Sequence, residues 1–163
     1  MSMKLNVKGM DDILAALNSL NADTEKIVSN AMYDGAKMLI EECKKNIQNL
    51  PVQNGYLKNG VRRDCCTEDE KTELLKNIGI ASFQKSNGKV STAIGFHGGY
   101  TSHKTKKYPN GVPIVLIARS IESGSSVRVK HPFMRTAVNS TKEKITRMMQ
   151  EKMREDINKL IGG

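Results

Sequence analysis

Three histidines and three cysteines are the side chains of this sequence best suited to metal or thiol chemistry. His97 and His103 flank one polar segment, His131 lies far from both, and the cysteines are Cys43 and the adjacent pair Cys65–Cys66. Zinc sites draw their ligands from closely spaced pairs such as CxxC, and no such pair occurs here. Adjacent cysteines rarely bond to each other because the ring is strained, so we expect reduced thiols. We predict no metal and no other cofactor.

Catalytic motifs with a defined geometry are also lacking. A reactive cysteine needs a base beside it, and a catalytic serine usually occupies a strained GxSxG turn. The glycine-rich pieces GFHGGY and ESGSS lack the spacing of a phosphate-binding loop. Cys43 falls on an apolar helical stripe, which predicts a small buried hydrophobic residue. We therefore expect a protein that is not an enzyme.

The positive charge of the chain is unevenly distributed. The formal net charge is +9, and no Asp or Glu occurs between Glu73 and Glu122. Such an excess favours anionic partners, although a solvated basic surface is the simpler explanation. The sequence opens without a signal peptide, and no run approaches the ~20 apolar residues of a membrane span. We expect no membrane partner and a protein that is made and used in a cytoplasm, or in a particle assembled there.

The segment from His97 to Gly111 is polar, basic, rich in glycine and long for a loop. We call it the basic loop. Lysines bind phosphate and tyrosines stack on bases, so the loop could contact nucleic acid. The interpretation that we favour is an exposed assembly loop that becomes ordered against another subunit. The candidate interaction residues are Tyr100, His103, Lys104, Lys106, Lys107 and Tyr108.

Apolar periodicity predicts two helices in the first third of the chain. Met3 to Val7 alternates as a short strand does, and a short helix follows over Asp11–Leu20. A longer helix is expected over Thr24–Asn49, ended by Pro51. The glycine at position 35 should face a close neighbouring backbone. The apolar stripe of this helix comprises Val28, Met32, Ala36, Leu39, Cys43, Ile47 and Leu50.

The middle of the chain has the pattern of a small sheet. Residues 56–67 look extended, and 67–77 are ambiguous, with a helical insertion as one possibility. Ile78–Gln84 and Val90–Phe96 are predicted strands, joined by the turn Ser86-Asn87-Gly88. For 114–123 we favour a short helix, stopped by a left-handed Gly124, over a strand.

Residues 125–131 are expected to form a linker or a final strand, and Pro132 to occupy the first position of a last helix that reaches about Leu160. The apolar face of that helix comprises Phe133, Ala137, Thr141, Ile145, Met148, Met149, Met153, Ile157 and Leu160.

The order of these elements predicts one α+β domain over residues 1–163. Long N-terminal and C-terminal helices should pack on a small, mainly antiparallel sheet that carries the basic loop. The helical N-terminal part covers 11–50, the sheet, loop and short helix cover 56–131, and the C-terminal helix covers 132–161.

Three segments in a fixed order resemble a known family. They are Gln53–Val61 after a helix ended by a proline, Ile117–Ser125, and His131–Ala137 at the start of a long charged helix. With the opening Val7–Leu14, this order resembles the lambdoid-phage tail-component family, whose members are also described as head–tail joining, neck or tail-completion proteins. That family usually has a threonine-glycine-x-leucine turn, a glutamate-x-glycine-threonine turn and a proline-phenylalanine helix start. Here Asn54 and Ser125 replace the two threonines.

The resemblance implies a structural component of a tailed-phage virion that forms a homo-oligomeric ring and is assembled in the host cytoplasm. Its partners would be copies of itself and other neck or tail proteins, contacted through the basic loop and one face of a terminal helix. The alternative is a basic nucleic-acid-binding accessory protein, and non-specific contact with DNA is compatible with both.

The matched motif positions are expected to be structural: Gly55, Leu57, Gly124, Pro132 and Phe133. The two glycines should adopt positive φ, and Phe133 should anchor the last helix to the sheet. Glu122 is expected to pair with Arg119 or to cap a neighbouring amide, and would be an assembly residue if it is buried between subunits.

Overall fold

The computed structural model describes residues 2–4, 15, 24–55, 60–86 and 89–161. Strand β1 spans Ser2–Lys4 and overlaps the strand predicted over Met3–Val7, the rest of which lies outside the described residues. The predicted helix over 11–20 lies outside the described residues, except for Ala15, which is helical.

Helix α1 spans Thr24–Gln48, as predicted from its apolar stripe. Six of the seven stripe residues are buried, and Val28 is partly buried against them. Glu25 in the first turn and Lys45 in the last turn complement the helix dipole. The sequence pattern therefore located both the ends and the buried face of this helix.

Helix α2 spans Glu68–Asn77, so the charged insertion is helical. Thr67 and Glu70 form a capping box: the Thr67 hydroxyl accepts from the Glu70 amide at 3.2 Å, and the Glu70 carboxylate accepts from the Thr67 amide at 2.9 Å. The preceding segment was predicted to be extended. Its described part, 60–67, makes isolated bridges (Arg63 with Arg128, and Cys66 with Val52) rather than a named strand.

The two long predicted strands are each divided in the structure. Strands β2 (Ile78–Ile80), β3 (Gln84–Ser86), β4 (Lys89–Ser91) and β5 (Ala93–Phe96) follow α2. The sheet order is β1-β5-β2 with both pairs antiparallel, while β3 and β4 form a separate antiparallel hairpin. The break falls at Thr92, whose buried hydroxyl donates to the Ala81 carbonyl at 2.7 Å in place of a regular ladder bond.

Helix α3 spans Ile114–Ser123, which confirms the helical alternative for this apolar run. Gly124 follows it with φ 75° and ψ 167°. The positive φ was predicted, but this ψ lies in an extended region that essentially only glycine adopts, not in the left-handed helical region.

Helix α4 spans Met134–Ile161 and packs antiparallel against α1. Near the start of α4, Asn46 donates to the Phe133 carbonyl at 3.0 Å, and farther along Lys152 pairs with Asp34. The predicted apolar face is buried over most of its length, but Leu160 is 54% exposed. It lies in the last turn of α4, beyond Ile157, the last residue of the helix in the core.

Gly35 lies where α1 packs closely against α4. A Cβ atom at this position would stand 2.9 Å from Met149 Sδ and 3.0 Å from Ile145 Cγ2. The predicted close neighbour therefore exists, but it consists of side chains of α4 and not of backbone.

The architecture is the predicted α+β class, with two long helices on a small antiparallel sheet. Phe96 on β5 meets Phe133 edge-on, with ring centroids 6.0 Å apart. This contact confirms that Phe133 anchors the last helix to the sheet.

Candidate functional site

The turn at Gln53–Gly55, which opens the first family-like segment, is stabilised by hydrogen bonds from the Arg63 side chain. Gly55 has φ 87°, as predicted. The Arg63 guanidinium donates to the carbonyl of Gln53 and, at 2.8 Å, to that of Gly55. The Gln53 side chain accepts from the Asp64 amide at 2.7 Å. Leu57, the remaining predicted residue of this motif, lies outside the described residues.

The backbone of Arg63 joins this turn to the segment after α3. Its amide donates to the Val127 carbonyl, and its carbonyl accepts from the Val129 amide, each at 2.9 Å. Between these two residues, Arg128 is buried and donates two bonds of 2.8–2.9 Å to the Glu70 carboxylate, as well as one to the Cys65 carbonyl. Arg128 thus ties the end of this segment to the start of α2.

Glu122 caps the last helix through its side chain. Its carboxylate oxygens accept from the amides of Phe133 at 2.8 Å, Met134 at 2.9 Å and Arg135 at 3.0 Å. These are among the amides that a helix start leaves without a partner. Capping of an amide was one of the two roles predicted for Glu122. The residue is 1% exposed within its own chain, so its carboxylate does not lie on the surface.

Pro132 does not occupy the first position of the last helix. The Phe133 carbonyl accepts the first helical bond, from the Ala137 amide at 3.2 Å, which puts Phe133 at the cap position. Pro132 precedes it, outside the helix. Because the local sequence His131-Pro132-Phe133 contains none of the usual capping residues, Glu122 takes that role from eleven positions away.

Together these contacts link the three family-like segments, the first of them indirectly through Arg63. Arg63 holds the turn of the first segment to the strand-like backbone that follows the second, and Glu122 of the second segment caps the helix of the third. We call this region the motif corner. Three valines in or next to these segments remain exposed: Val52 at 38%, Val61 at 55% and Val127 at 66%.

The basic loop contains no named helix or strand, as predicted, but its backbone is closed upon itself. The Thr101 amide donates to the Val112 carbonyl at 3.0 Å, and the Val112 amide donates to the His103 carbonyl at 3.2 Å. Farther out, Thr105 and Tyr108 exchange two backbone bonds of 3.1 Å, so residues 106 and 107 form a two-residue turn.

Two contacts fix the base of this loop to the domain. The Asp69 carboxylate of α2 accepts from the amide and the hydroxyl of Ser102, both at 2.9 Å. Gly111 has φ 103°, and a Cβ atom there would stand 2.0 Å from the Thr101 carbonyl oxygen. Only glycine permits this close approach.

The structure brings the predicted loop residues together and separates them from Glu122. Lys104, Lys106 and Lys107 are exposed, as are Tyr100 and His103. The Lys107 ammonium lies 5.5 Å from the centre of the half-buried Tyr108 ring. The candidates thus belong to two places: a cationic loop and the internal cap of α4.

The three thiols are buried and free. Desolvation by burial, with smaller effects of the Glu122 and Glu42 carboxylates, raises the pKa of Cys43 from 9.0 to about 12. The hydrogen bond between the adjacent thiols, followed by burial, raises the pKa of Cys65, while the same hydrogen bond lowers the pKa of Cys66. Cys43 is the small core residue that its place on the apolar stripe predicted.

Among the residues that the structure describes, no group of three His, Cys, Asp or Glu side chains lies close enough to hold a metal ion. No described helix is long and apolar enough to cross a membrane.

Sequence reasoning missed the residues that hold the motif corner and the base of the basic loop in place. Arg63, Arg128 and Asp69 make long-range contacts that no local pattern announces. Glu70 carried a signal, because Thr67 and Glu70 have the spacing of a capping box before an apolar pair.

Comparison with protein-family models, curated proteins and solved structures gives no match for this chain.

Proposed function

We propose that this chain is a non-enzymatic structural subunit of a tailed-phage virion, acting in head–tail joining or tail completion as part of a homo-oligomeric ring assembled in the host cytoplasm. One observation carries this proposal. The first segment, far from the other two in sequence, is joined through Arg63 to the backbone that lies between them, and Glu122 of the second segment caps the helix of the third.

The residues of these segments support a scaffold role. Gly55 and Gly124 supply backbone conformations, Glu122 caps a helix from the interior, and Phe133 packs against Phe96. Each of these side chains or backbones stabilises the local shape of the domain. Such rigidity suits a subunit that must present a fixed surface to its neighbours.

The exposed valines of the motif corner are the surface that we assign to a second copy of the chain. Val61 lies two residues before Arg63, whose backbone pairs with that of 127–129, and Val61 and Val127 are both more than half exposed. A patch that meets a different patch on the next copy generates a closed ring when the rotation between copies closes. The exposed Tyr100 and Leu116, near the base of the basic loop, would face other neck or tail proteins.

The first experiment asks whether the chain is part of the particle. Mass spectrometry of purified phage particles whose genome encodes this chain should find it in several copies per particle. A chain that is strictly monomeric in solution and absent from particles would contradict the proposal. Flanking genes for portal, capsid and tail-tube proteins would support the class independently.

The second experiment tests the surface. A Val61→Lys/Val127→Lys double variant should fold but fail to enter particles when it replaces the native chain. Tyr33→Lys is the matched control, because Tyr33 is 51% exposed on the outer side of α1. Normal incorporation of the double variant would rule out the motif corner as the contact between copies.

A further inference from the structure

The outer end of the basic loop, residues 104–108, is the part that we call the tip, and its exposed side chains favour an anionic partner. We propose that Lys104, Lys106 and Lys107 bind the phosphate backbone of duplex DNA. Lys106 and Lys107 occupy the two-residue turn closed by Thr105 and Tyr108, and all three lysine side chains are exposed. The inference goes beyond the proposed virion role and does not depend on it.

The tip is preformed. The paired backbone of Thr105 and Tyr108, the Thr101–Val112 and His103–Val112 bonds, and the anchoring of Ser102 by Asp69 hold the loop in shape without a partner. A preformed loop loses less conformational entropy on binding than one that must become ordered. This differs from the sequence-based expectation of a loop that becomes ordered against another subunit.

The electrostatics of the tip favour a polyanion. No Asp or Glu occurs between Glu73 and Glu122, so the loop carries no carboxylate of its own. Asp69, which approaches the base of the loop, is engaged by Ser102. The three ammonium groups are therefore not paired with a carboxylate from within the loop.

The composition of the tip favours phosphate over a protein surface. Exposed side chains from 102 to 110 are polar or cationic, apart from Pro109. Protein interfaces are depleted in lysine at their centres and enriched in aromatic and other large apolar side chains. The exposed Tyr100 and Leu116, at 54% and 41%, lie near the base of the loop and not at its tip.

Duplex DNA fits the tip better than a single strand does. Proteins that bind single strands stack successive bases on open aromatic faces. The Tyr108 ring is half-buried, and the Lys107 ammonium lies 5.5 Å from its centre. What the tip offers instead is a group of exposed positive charges, which suits the dense phosphate charge of a duplex.

The test measures binding of the full-length chain to a 20-base-pair duplex by fluorescence anisotropy over a range of salt concentrations. A Lys104→Gln/Lys106→Gln/Lys107→Gln variant should bind about tenfold more weakly or worse at low salt. The slope of log affinity against log salt should become shallower by about 2 to 3, because up to three phosphate contacts are lost.

The matched control is Lys37→Gln/Lys44→Gln/Lys142→Gln, which removes the same charge from exposed positions on α1 and α4. It should keep most of the affinity and of the salt slope. Equal losses in both variants would show that net charge alone attracts DNA, and an inert wild-type chain at low salt would eliminate the proposal.

Two competitors separate the partner classes. Polyglutamate should displace the duplex poorly, and a single strand of equal length should bind more weakly than the duplex. Tighter binding to polyglutamate would assign the tip to an acidic protein face, and tighter binding to the single strand would overturn the duplex assignment. These binding measurements need no phage particle. A result that contradicts DNA binding would therefore leave the proposed virion role untouched.

Discussion

The carboxylate of Glu122 accepts the backbone amide of Phe133 at 2.8 Å, and with it the next two amides of the chain. This contact joins the last turn of α3 to the first turn of α4. Because the negative charge sits at the positive end of the α4 dipole, electrostatics add to the hydrogen bonds. Glu122 thus fixes where the 28-residue helix α4 begins.

Replacing Glu122 with alanine should destabilise the fold by about 2–4 kcal/mol, since three amides lose a charged acceptor in a buried place. The free energy of unfolding from urea titration followed by circular dichroism checks this. Glu143→Ala, at an exposed acidic position on α4, the helix that Glu122 caps, should change it by less than about 0.5 kcal/mol. Similar effects of the two substitutions would show that Glu122 does not cap α4.

The pair of Arg128 and Glu70 should behave as a buried ion pair. Their side chains are 7% and 12% exposed and meet at 2.8 Å. Arg128→Met should cost about 3–5 kcal/mol, because it leaves the carboxylate partly buried and without its cation. Adding Glu70→Gln to that variant should recover part of the loss in a double-mutant cycle. In contrast, Lys76→Met, which breaks an exposed pair of the same length with Glu73, should leave the free energy of unfolding nearly unchanged. If the effects of the Arg128 and Glu70 substitutions are additive in the double-mutant cycle, the two side chains are not coupled.

Gly35 should not tolerate a larger side chain. Valine there would push into Ile145 and Met149, where a Cβ atom alone already stands within 3.0 Å of each. We expect a loss of about 1–3 kcal/mol from overpacking, measured as a lower urea midpoint. Lys37→Val, two positions away on the exposed face of α1, introduces the same side chain without the clash and costs only about 0.3 kcal/mol in helix propensity. If both variants unfold at the same midpoint, α1 and α4 do not approach each other as described.

The alkaline stability of the chain should depend on Cys43. Its pKa is raised from 9.0 to about 12, so between these values the folded chain holds a proton that the unfolded chain releases. This contribution is complete below pH 9 and is lost as the pH rises towards 12, with a slope of about 1.4 kcal/mol per pH unit. Urea titrations from pH 8 to pH 11 should show a steeper decline for the wild type than for Cys43→Ala. The cavity left by Cys43→Ala lowers the free energy of unfolding equally at every pH and does not change its pH dependence. If the two curves of unfolding free energy against pH are parallel, the raised pKa of Cys43 is refuted.

Long elements with one buried face could be predicted from the sequence almost to the residue. The stripe from Val28 to Leu50 repeats with helical spacing, and the observed α1 ends one residue before the predicted boundary. The helix at 114–123 was harder to predict from the sequence, because the β-branched residues at its start favour a strand. Pro113 before it and Gly124 after it mark the ends of the observed helix.

Contacts between distant segments could not be predicted in the same way. At the interruption of the long strands the Thr92 hydroxyl donates to the Ala81 carbonyl, and at the start of α4 the Glu122 carboxylate accepts the Phe133 amide. Neither partner can be identified from a local pattern. The missing capping residue before Phe133 was a usable signal, because a helix start without a local cap must find its acceptor elsewhere.

The basic loop shows the same limit for the candidate site. The charge and the length of the loop could be predicted from the sequence, and its three lysines are exposed at the tip. The closed conformation of the loop backbone could not be predicted, because it involves Asp69 from α2 and the close approach of Gly111 to Thr101.

The antiparallel packing of α1 on α4 has a consequence for biosynthesis. Asp34 and Lys152 are 118 positions apart, so the apolar stripe of α1 emerges from the ribosome long before its covering helix is made. Until then, the nascent chain exposes Leu39, Ile47 and their neighbours, a surface that chaperones bind and that invites aggregation. Closure over so long a loop also places this pairing late in folding, after the local helices have formed.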